Sequence, residues 1–185
     1  MTAVKHLTMT ELEAGLETIA ASPKDRGVVE MIVRRPQVGV REVLPEGQLD
    51  LAEGLVGDSW KARSSRRTGN GTPHPDMQLN LMNARVVALV SQDKERWPLA
   101  GDQLFVDFDL SEANVPAGTR LAIGAAVIEV TDQPHTGCSK FVERFGLDAM
   151  KFVNSEARRD WNLRGINARV VQAGAFRVGD AITKL

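Results

Sequence analysis

One cysteine and no tyrosine stand in the 185-residue chain, and its histidines number only three. A lone thiol closes no internal disulfide and cannot build a structural zinc site by itself. Three ungrouped histidines offer no protein-only metal centre either, and His6 and His74 read as surface or loop residues. Charge of one sign is also missing: 23 basic residues face 24 acidic ones, a balance that argues against a dedicated nucleic-acid binder. No apolar run approaches the roughly 18 residues of a spanning helix, so no membrane role is expected. The opening Met-Thr-Ala-Val-Lys-His lacks the apolar core of a secretory signal. Together with the single cysteine, this makes a reducing, cytoplasmic location the expectation. No Gly-x-x-x-x-Gly-Lys-Ser/Thr pattern occurs, which excludes a phosphate P-loop. The missing tyrosine has no physical account.

The chain divides into two parts: a helical extension over 1–26 and a strand-rich domain over 27–185. Thr8 and Glu11 form a capping box for a helix carrying Leu12, Leu16 and Ile19, ended by Ser22-Pro23. That helix is expected to pack on the body or on a second subunit, so a homodimer is one assembly to consider. Val28 to Val33 is a strand, Pro36 breaks it, and Val38 to Val43 reads as the next. Met77 to Met82 is a short strand, and Asn83 caps a helix with Val86, Val87, Leu89 and Val90. Leu104 to Leu110 alternates, whereas Leu121 to Val130 is apolar on both faces, as in a strand buried in a closed or double-layered sheet. Short helices start near Ser139 and Asp148, with Gly146 between them. Strands over 166–171, 176–178 and 181–185 complete the chain. Strands dominate, turns recur and no βαβ alternation shows. The expected fold is mainly β, a barrel with a few peripheral helices.

Chemistry concentrates in three places. Cys138 follows the break Asp132-Gln133-Pro134-His135-Thr136-Gly137 and stands at the start of a short helix, where a thiolate gains from the dipole and unpaired N–H groups. It is either a reactive thiol or a small apolar filler. His135 could act as a base or pair with the thiolate, and Thr136, Ser139 and Lys140 make its surroundings polar. A papain-like Cys–His hydrolase is disfavoured, because that pair is not assembled three residues apart in one loop. The second place is the glycine-rich loop with Lys61, Arg63, Arg66 and Arg67 and no acidic residue from Ser59 to Pro75. These cations suit a phosphate or other anion, or else a solvated, mobile loop. The third is Asn167 and Arg169, which share one face of a strand. They could bind a heterocycle edge and a phosphate, or form a polar outer face.

The order of several motifs resembles one known family. They are Arg34-Arg35-Pro36, Gly54-Leu55-Val56-Gly57-Asp58 and Gln78-Leu79-Asn80-Leu81-Met82, then Pro116 to Gly124, Ile128-Glu129-Val130-Thr131 and Cys138. Arg164-Gly165-Ile166-Asn167-Ala168-Arg169-Val170-Val171 and Val178-Gly179-Asp180 close the series. Together they look like a MOSC domain, named for the C-terminal region of molybdenum-cofactor sulfurases. The resemblance covers about Gly27 to Leu185 and suggests a stand-alone bacterial member. It implies a barrel shared with the pyruvate-kinase β-barrel group and binding of the molybdenum cofactor, molybdopterin. Cys138 then corresponds to the molybdenum ligand or sulfur carrier. Pyridoxal phosphate is associated only at the level of the family.

Many members place a histidine soon after the Gly-Asp pair, where this chain has Ser59-Trp60-Lys61-Ala62-Arg63. Three functions follow as expectations. One is an oxidoreductase that reduces an N-hydroxylated small-molecule substrate. In it Cys138 holds the metal and is catalytic together with His135, while Lys61, Arg63, Arg66, Arg67, Thr136, Lys140 and Asn167 or Arg169 grip the cofactor, and a separate redox partner supplies electrons. The others are a sulfur carrier with a Cys138 persulfide, serving a sulfur-transfer partner, and a non-catalytic binding module.

Overall fold

The computed structural model describes residues 5–65 and 67–185. Among the described residues, eleven strands follow in chain order: β1 (Arg26–Arg34), β2 (Glu42–Leu44), β3 (Glu46–Asp50), β4 (Gly54–Leu55), β5 (Leu79–Asn83), β6 (Leu104–Asp107), β7 (Arg120–Ile123), β8 (Ala126–Val130), β9 (Ile166–Gln172), β10 (Gly174–Arg177) and β11 (Ala181–Lys184). Seven of them close a barrel in the order β1, β6, β5, β9, β8, β7, β11 and back to β1. Of these pairings, only that of β5 with β6 is parallel. The second edge of β1 is divided: Arg26 to Val28 pair with β11, and Ile32 to Arg34 pair with β2. A bulge between Val29 and Met31 resets the alternation. Val29 and Ile32 therefore both point into the barrel, and Met31 and Val33 point out. β10, β3 and β4 form a separate sheet whose Phe176, Leu49 and Leu55 enter the barrel core.

Closure gives the inward face one continuous apolar core from Val29 through Ile182. A second core lies outside the wall. Met31, Val33, Met82 and Phe105, on the outward faces of β1, β5 and β6, are covered by helices. These are α1 (Met9–Glu13), α2 (Leu16–Ala20), α3 (Ala84–Ser91), α4 (Ser139–Phe145) and α5 (Leu147–Val153). Here Leu12 from the leading segment meets Val87 and Val90 of α3, Phe141 and Phe145 of α4, and Phe152 of α5 in one cluster.

Several elements differ from the pattern-based expectation, each for a local reason. The leading helix is two short helices broken at Gly15, where a side chain would collide with Leu89 of α3. The capping box at Thr8 and Glu11 is present as expected. Val38 to Arg41 is not strand: a turn around Gly39 follows Pro36, and pairing resumes only at Glu42. Leu121 to Val130 is not one strand but the hairpin of β7 and β8, since Gly124 takes a left-handed φ of 56° and reverses the chain. α5 is capped by Gly146 rather than Asp148, whose carboxylate instead accepts from the Met9 N–H at 3.1 Å. β3 and β4 have no alternating apolar signature and are not legible as strands from sequence.

Leu12 is fully buried in a core cluster that also holds residues of α3, α4 and α5. Leu12→Ala should lower unfolding free energy by about 3 kcal/mol in urea titration. A loss below about 1 kcal/mol would mean the segment is not part of the folded core.

Candidate functional site

The loop from Thr131 to Cys138 leaves β8 and crosses one end of the barrel. Its path is set by backbone groups that find side-chain partners. Thr131 donates its hydroxyl to the Asp76 carbonyl at 2.7 Å, and the Asn167 amide donates to the carbonyls of Gln133 and Pro134. Asn167 accepts in turn from Asn80 at 2.6 Å and has no exposed surface. Cys138 caps α4 through its carbonyl, which receives the N–H groups of Phe141 and Val142. Its thiol makes no capping bond and the residue is exposed.

Beneath this loop lies a buried polar network. Arg35 grips Asp58 through two nitrogens at 2.9 and 3.0 Å and also donates to Asn80. Asp102 receives the Arg164 Nη1 at 2.7 Å and meets the His135 Nε2 at 2.7 Å. Arg164 lies 5.1 Å over the Phe141 ring, and its buried Nε has no partner among the described residues.

The two clusters meet at the end of the 3-10 helix Lys94–Ala100, where the Pro98 carbonyl takes the Gly101 N–H and the carbonyls after it lack helical donors. Four consecutive carbonyls are each met by a guanidinium from elsewhere in the chain. Pro98 receives Arg41, Leu99 receives Arg144, Ala100 receives Arg164 and Gly101 receives Arg35. The negative end of the helix thereby gathers cations.

The electrostatics follow from this crowding. Burial works against ionisation of Asp102, but the charge of Arg164 and the His135 and Arg164 hydrogen bonds outweigh it and hold the carboxyl at about 2. Burial and the same arginine push His135 down from its ordinary value, against the pull of Asp102, so the imidazole is neutral at pH 7. A neutral ring that donates from Nε2 to a carboxylate leaves Nδ1 as an acceptor. Arg41 and Arg63 are lowered by burial and then by the charges of neighbouring arginines, Arg35 among them. Asp58 and, for Arg41, Asp102 act against this lowering.

The residues expected from sequence fall into distinct positions. Cys138, Thr136 and Lys140 are exposed on the loop and the first turn of α4, and His135 lies half-buried against Asp102. Arg63 donates to Ser59 and, with Ser64 and Ser65, lines a cavity of about 170 Å³ that Arg35, Trp60, His74, Met77 and Asn80 complete. Arg67 ties the basic loop to the cysteine loop by donating to the Gln133 side chain at 3.1 Å. Lys61 is exposed in a 3-10 turn, and Arg66 lies outside the described residues. Arg169 stands on the sheet surface, where Asp76 and Glu129 answer its charge. Residues that sequence reasoning passes over include Asp102, Arg41, Arg144 and His74. His74 reads in the sequence as an isolated loop residue, yet its Nδ1 accepts the Asp76 N–H and its ring faces the cavity beside Arg63. No three His, Cys, Asp or Glu side chains converge as a metal site among the described residues.

Comparison with known proteins bears on this arrangement. The family model described as "MOSC domain" matches residues 74–183. No curated protein sequence matches the chain. Among solved structures, YuaD from Bacillus subtilis superposes with a TM-score of 0.62 at 19% identity, covering 85% of this chain and 94% of that one. YiiM from Escherichia coli gives 0.52 at 19% identity, covering 85% and 69%. YiiM from Geobacillus stearothermophilus gives 0.53 at 14% identity, covering 89% and 74%. At such identities the likeness is one of fold.

Two measurements test the electrostatics. The lowered His135 should titrate below 6.5 in NMR, and stability should fall as pH drops below about 6.5, because the unfolded chain takes up the proton first. His135→Asn should flatten that slope; an unchanged slope would place the effect elsewhere. Asp102→Asn leaves Arg164 buried without its counter-charge and should cost about 3 to 5 kcal/mol in urea unfolding.

Proposed function

The chain belongs to the MOSC domain family, and we propose that it binds the molybdenum cofactor through Cys138 as the catalytic module of a reductase for N-hydroxylated compounds. The observation that carries this reading is an exposed, unpaired thiol at the end of a loop that meets the Asp102–Arg164 pair through His135 and the basic loop through the Arg67–Gln133 bond. A soft metal prefers thiolate, and one protein donor suffices only for a metal that arrives with further ligands of its own, as a pterin-bound metal does. The anionic remainder of such a cofactor requires cations and hydrogen-bond donors. The cavity lined by Arg63, Ser64, Ser65 and His74 supplies both. The residues present therefore fit the group.

In this reading Cys138 would hold the metal, and Arg63, Ser64, Ser65 and His74 would hold the phosphate. Arg67 and Lys61 would add long-range attraction. When bound, the cofactor supplies a redox metal able to take an oxygen atom from the substrate. The chain's own part is to position and to handle protons. Asn167 and Asn80 fix the loop carbonyls. His135 can accept a proton at Nδ1 while Asp102, ionised throughout the physiological range, stabilises the resulting imidazolium through Nε2. Reduction of an N-hydroxyl group to N–H releases its oxygen as water and consumes two electrons and two protons, the protons coming from solvent, and His135 could relay one of them. A redox partner would supply the electrons.

The same exposed thiol could instead hold a persulfide whose outer sulfur passes to an acceptor thiolate. One preparation separates the two. Protein made in a cofactor-competent host should contain molybdenum and fluorescent pterin, and Cys138→Ser should lose both metal and reductase activity by at least ~100-fold. Serine is a better N-cap than cysteine, so this variant should fold normally. Arg63→Ala should weaken retention by about tenfold. Wild-type protein that holds sulfane sulfur on Cys138 and no molybdenum would replace the reductase by the sulfur carrier.

A further inference from the structure

Cys138 is preceded by Gly137, whose peptide is gripped from the end of α5 and not from its own loop. The Asn154 Oδ1 accepts the Gly137 N–H at 2.8 Å, and the Asn154 Nδ2 donates to the Gly137 carbonyl at 3.1 Å. Such reciprocal amide-to-backbone pairing fixes both the position and the orientation of the residue adjoining the cysteine. Met150 and Val153 of α5 close around Gly137, and the Met150 sulfur lies 3.2 Å from the Asn154 nitrogen. The support is itself anchored. Phe152 and Ala149 sink α5 into the outer core, and Asp148 receives the Met9 N–H. The His6 ring lies so close to Gly146 that a side chain there would strike it. Residues 6–9 therefore brace both the α4–α5 junction and α5, and α5 holds the backbone before the thiol.

We infer that Asn154 is a positioning residue for Cys138, acting through the Gly137 backbone. The inference rests on the reading of Cys138 as the functional residue. Among the described residues of α4, α5 and their caps, Asn154 alone engages both backbone hydrogen-bonding groups of a residue in the cysteine loop. Without it, the loop would keep its Asn167 and Thr131 contacts and Cys138 its carbonyl bonds to α4, but the Gly137 peptide between them would lose its fixed orientation.

The test uses the full chain and two readouts. Hydrogen exchange followed by NMR at the Gly137 amide should rise at least about tenfold in Asn154→Ala. The rise should be smaller in Asn154→Asp, which keeps the acceptor for that N–H and loses the donor. Asn114→Ala serves as the control. It removes two amide-to-carbonyl bonds of the same kind, to Lys24 and Asp109, and should leave Gly137 exchange unchanged. Unchanged exchange in Asn154→Ala, or an equal rise in Asn114→Ala, overturns the positioning role. The second readout is molybdenum retained per folded chain in a cofactor-competent host. It should fall in Asn154→Ala and recover partly in Asn154→Asp, and equal retention in wild type and Asn154→Ala overturns the link to function. If wild type holds no molybdenum, the cofactor reading fails while the exchange data still decide the positioning role.

Discussion

Beyond the Gly101 N–H that reaches Pro98, the carbonyls at the end of the Lys94–Ala100 helix have no helical donors, and this molecule meets them with arginine. Guanidinium groups from the end of β1, from the connection at Arg41, from α4 and from the approach to β9 converge on four successive residues. Among the described residues, Asp58 pairs with Arg35 and Asp102 with Arg164 within this group. A buried carbonyl without a donor costs on the order of 1 to 3 kcal/mol. For the Ala100 carbonyl, which Arg164 meets in the interior, the arrangement therefore stabilises the fold, and it gathers four guanidinium groups at one place. The cysteine loop reaches that place through the His135–Asp102 bond.

The ionised Asp102 and the neutral His135 are consequences of the same gathering and not separate devices. A carboxylate between Arg164 and an imidazole stays charged in the interior. The imidazole, facing the same arginine, stays neutral. Their hydrogen bond fixes which ring nitrogen carries the proton. One electrostatic field thus sets the protonation of both groups within reach of the loop that ends at Cys138.

Much of the barrel could be read from sequence because closure imposes alternation. Ile166, Ala168 and Val170 turn inward and Asn167 and Arg169 outward, as their spacing required. The β7–β8 hairpin escaped because both strands are rich in apolar residues on both faces, and only Gly124 betrays the turn. The strands β3 and β4 escaped for the opposite reason: their pairing is imposed by tertiary contact, through Leu49 and Leu55, and not by local preference. In the candidate site, Cys138, His135 and the basic loop stand out in the sequence because their residues cluster there. Asp102, Arg41, Arg144 and Asn154 do not, since each acts on a residue well away from it in the chain, and no local pattern encodes such pairings. His74 was undervalued for the same reason, as its cavity partners Arg35 and Asn80 come from the end of β1 and from β5.

A metal held at one sulfur atom above an arginine-rich floor is the central claim. The most direct measurement is anomalous scattering at the molybdenum absorption edge from crystals of protein purified out of a cofactor-competent host. A single peak adjoining the Cys138 sulfur, with density for an anion among Arg63, Ser64 and His74, is the predicted result. A peak at any other residue, or a fully occupied metal whose nearest protein atom is not this sulfur, would contradict it.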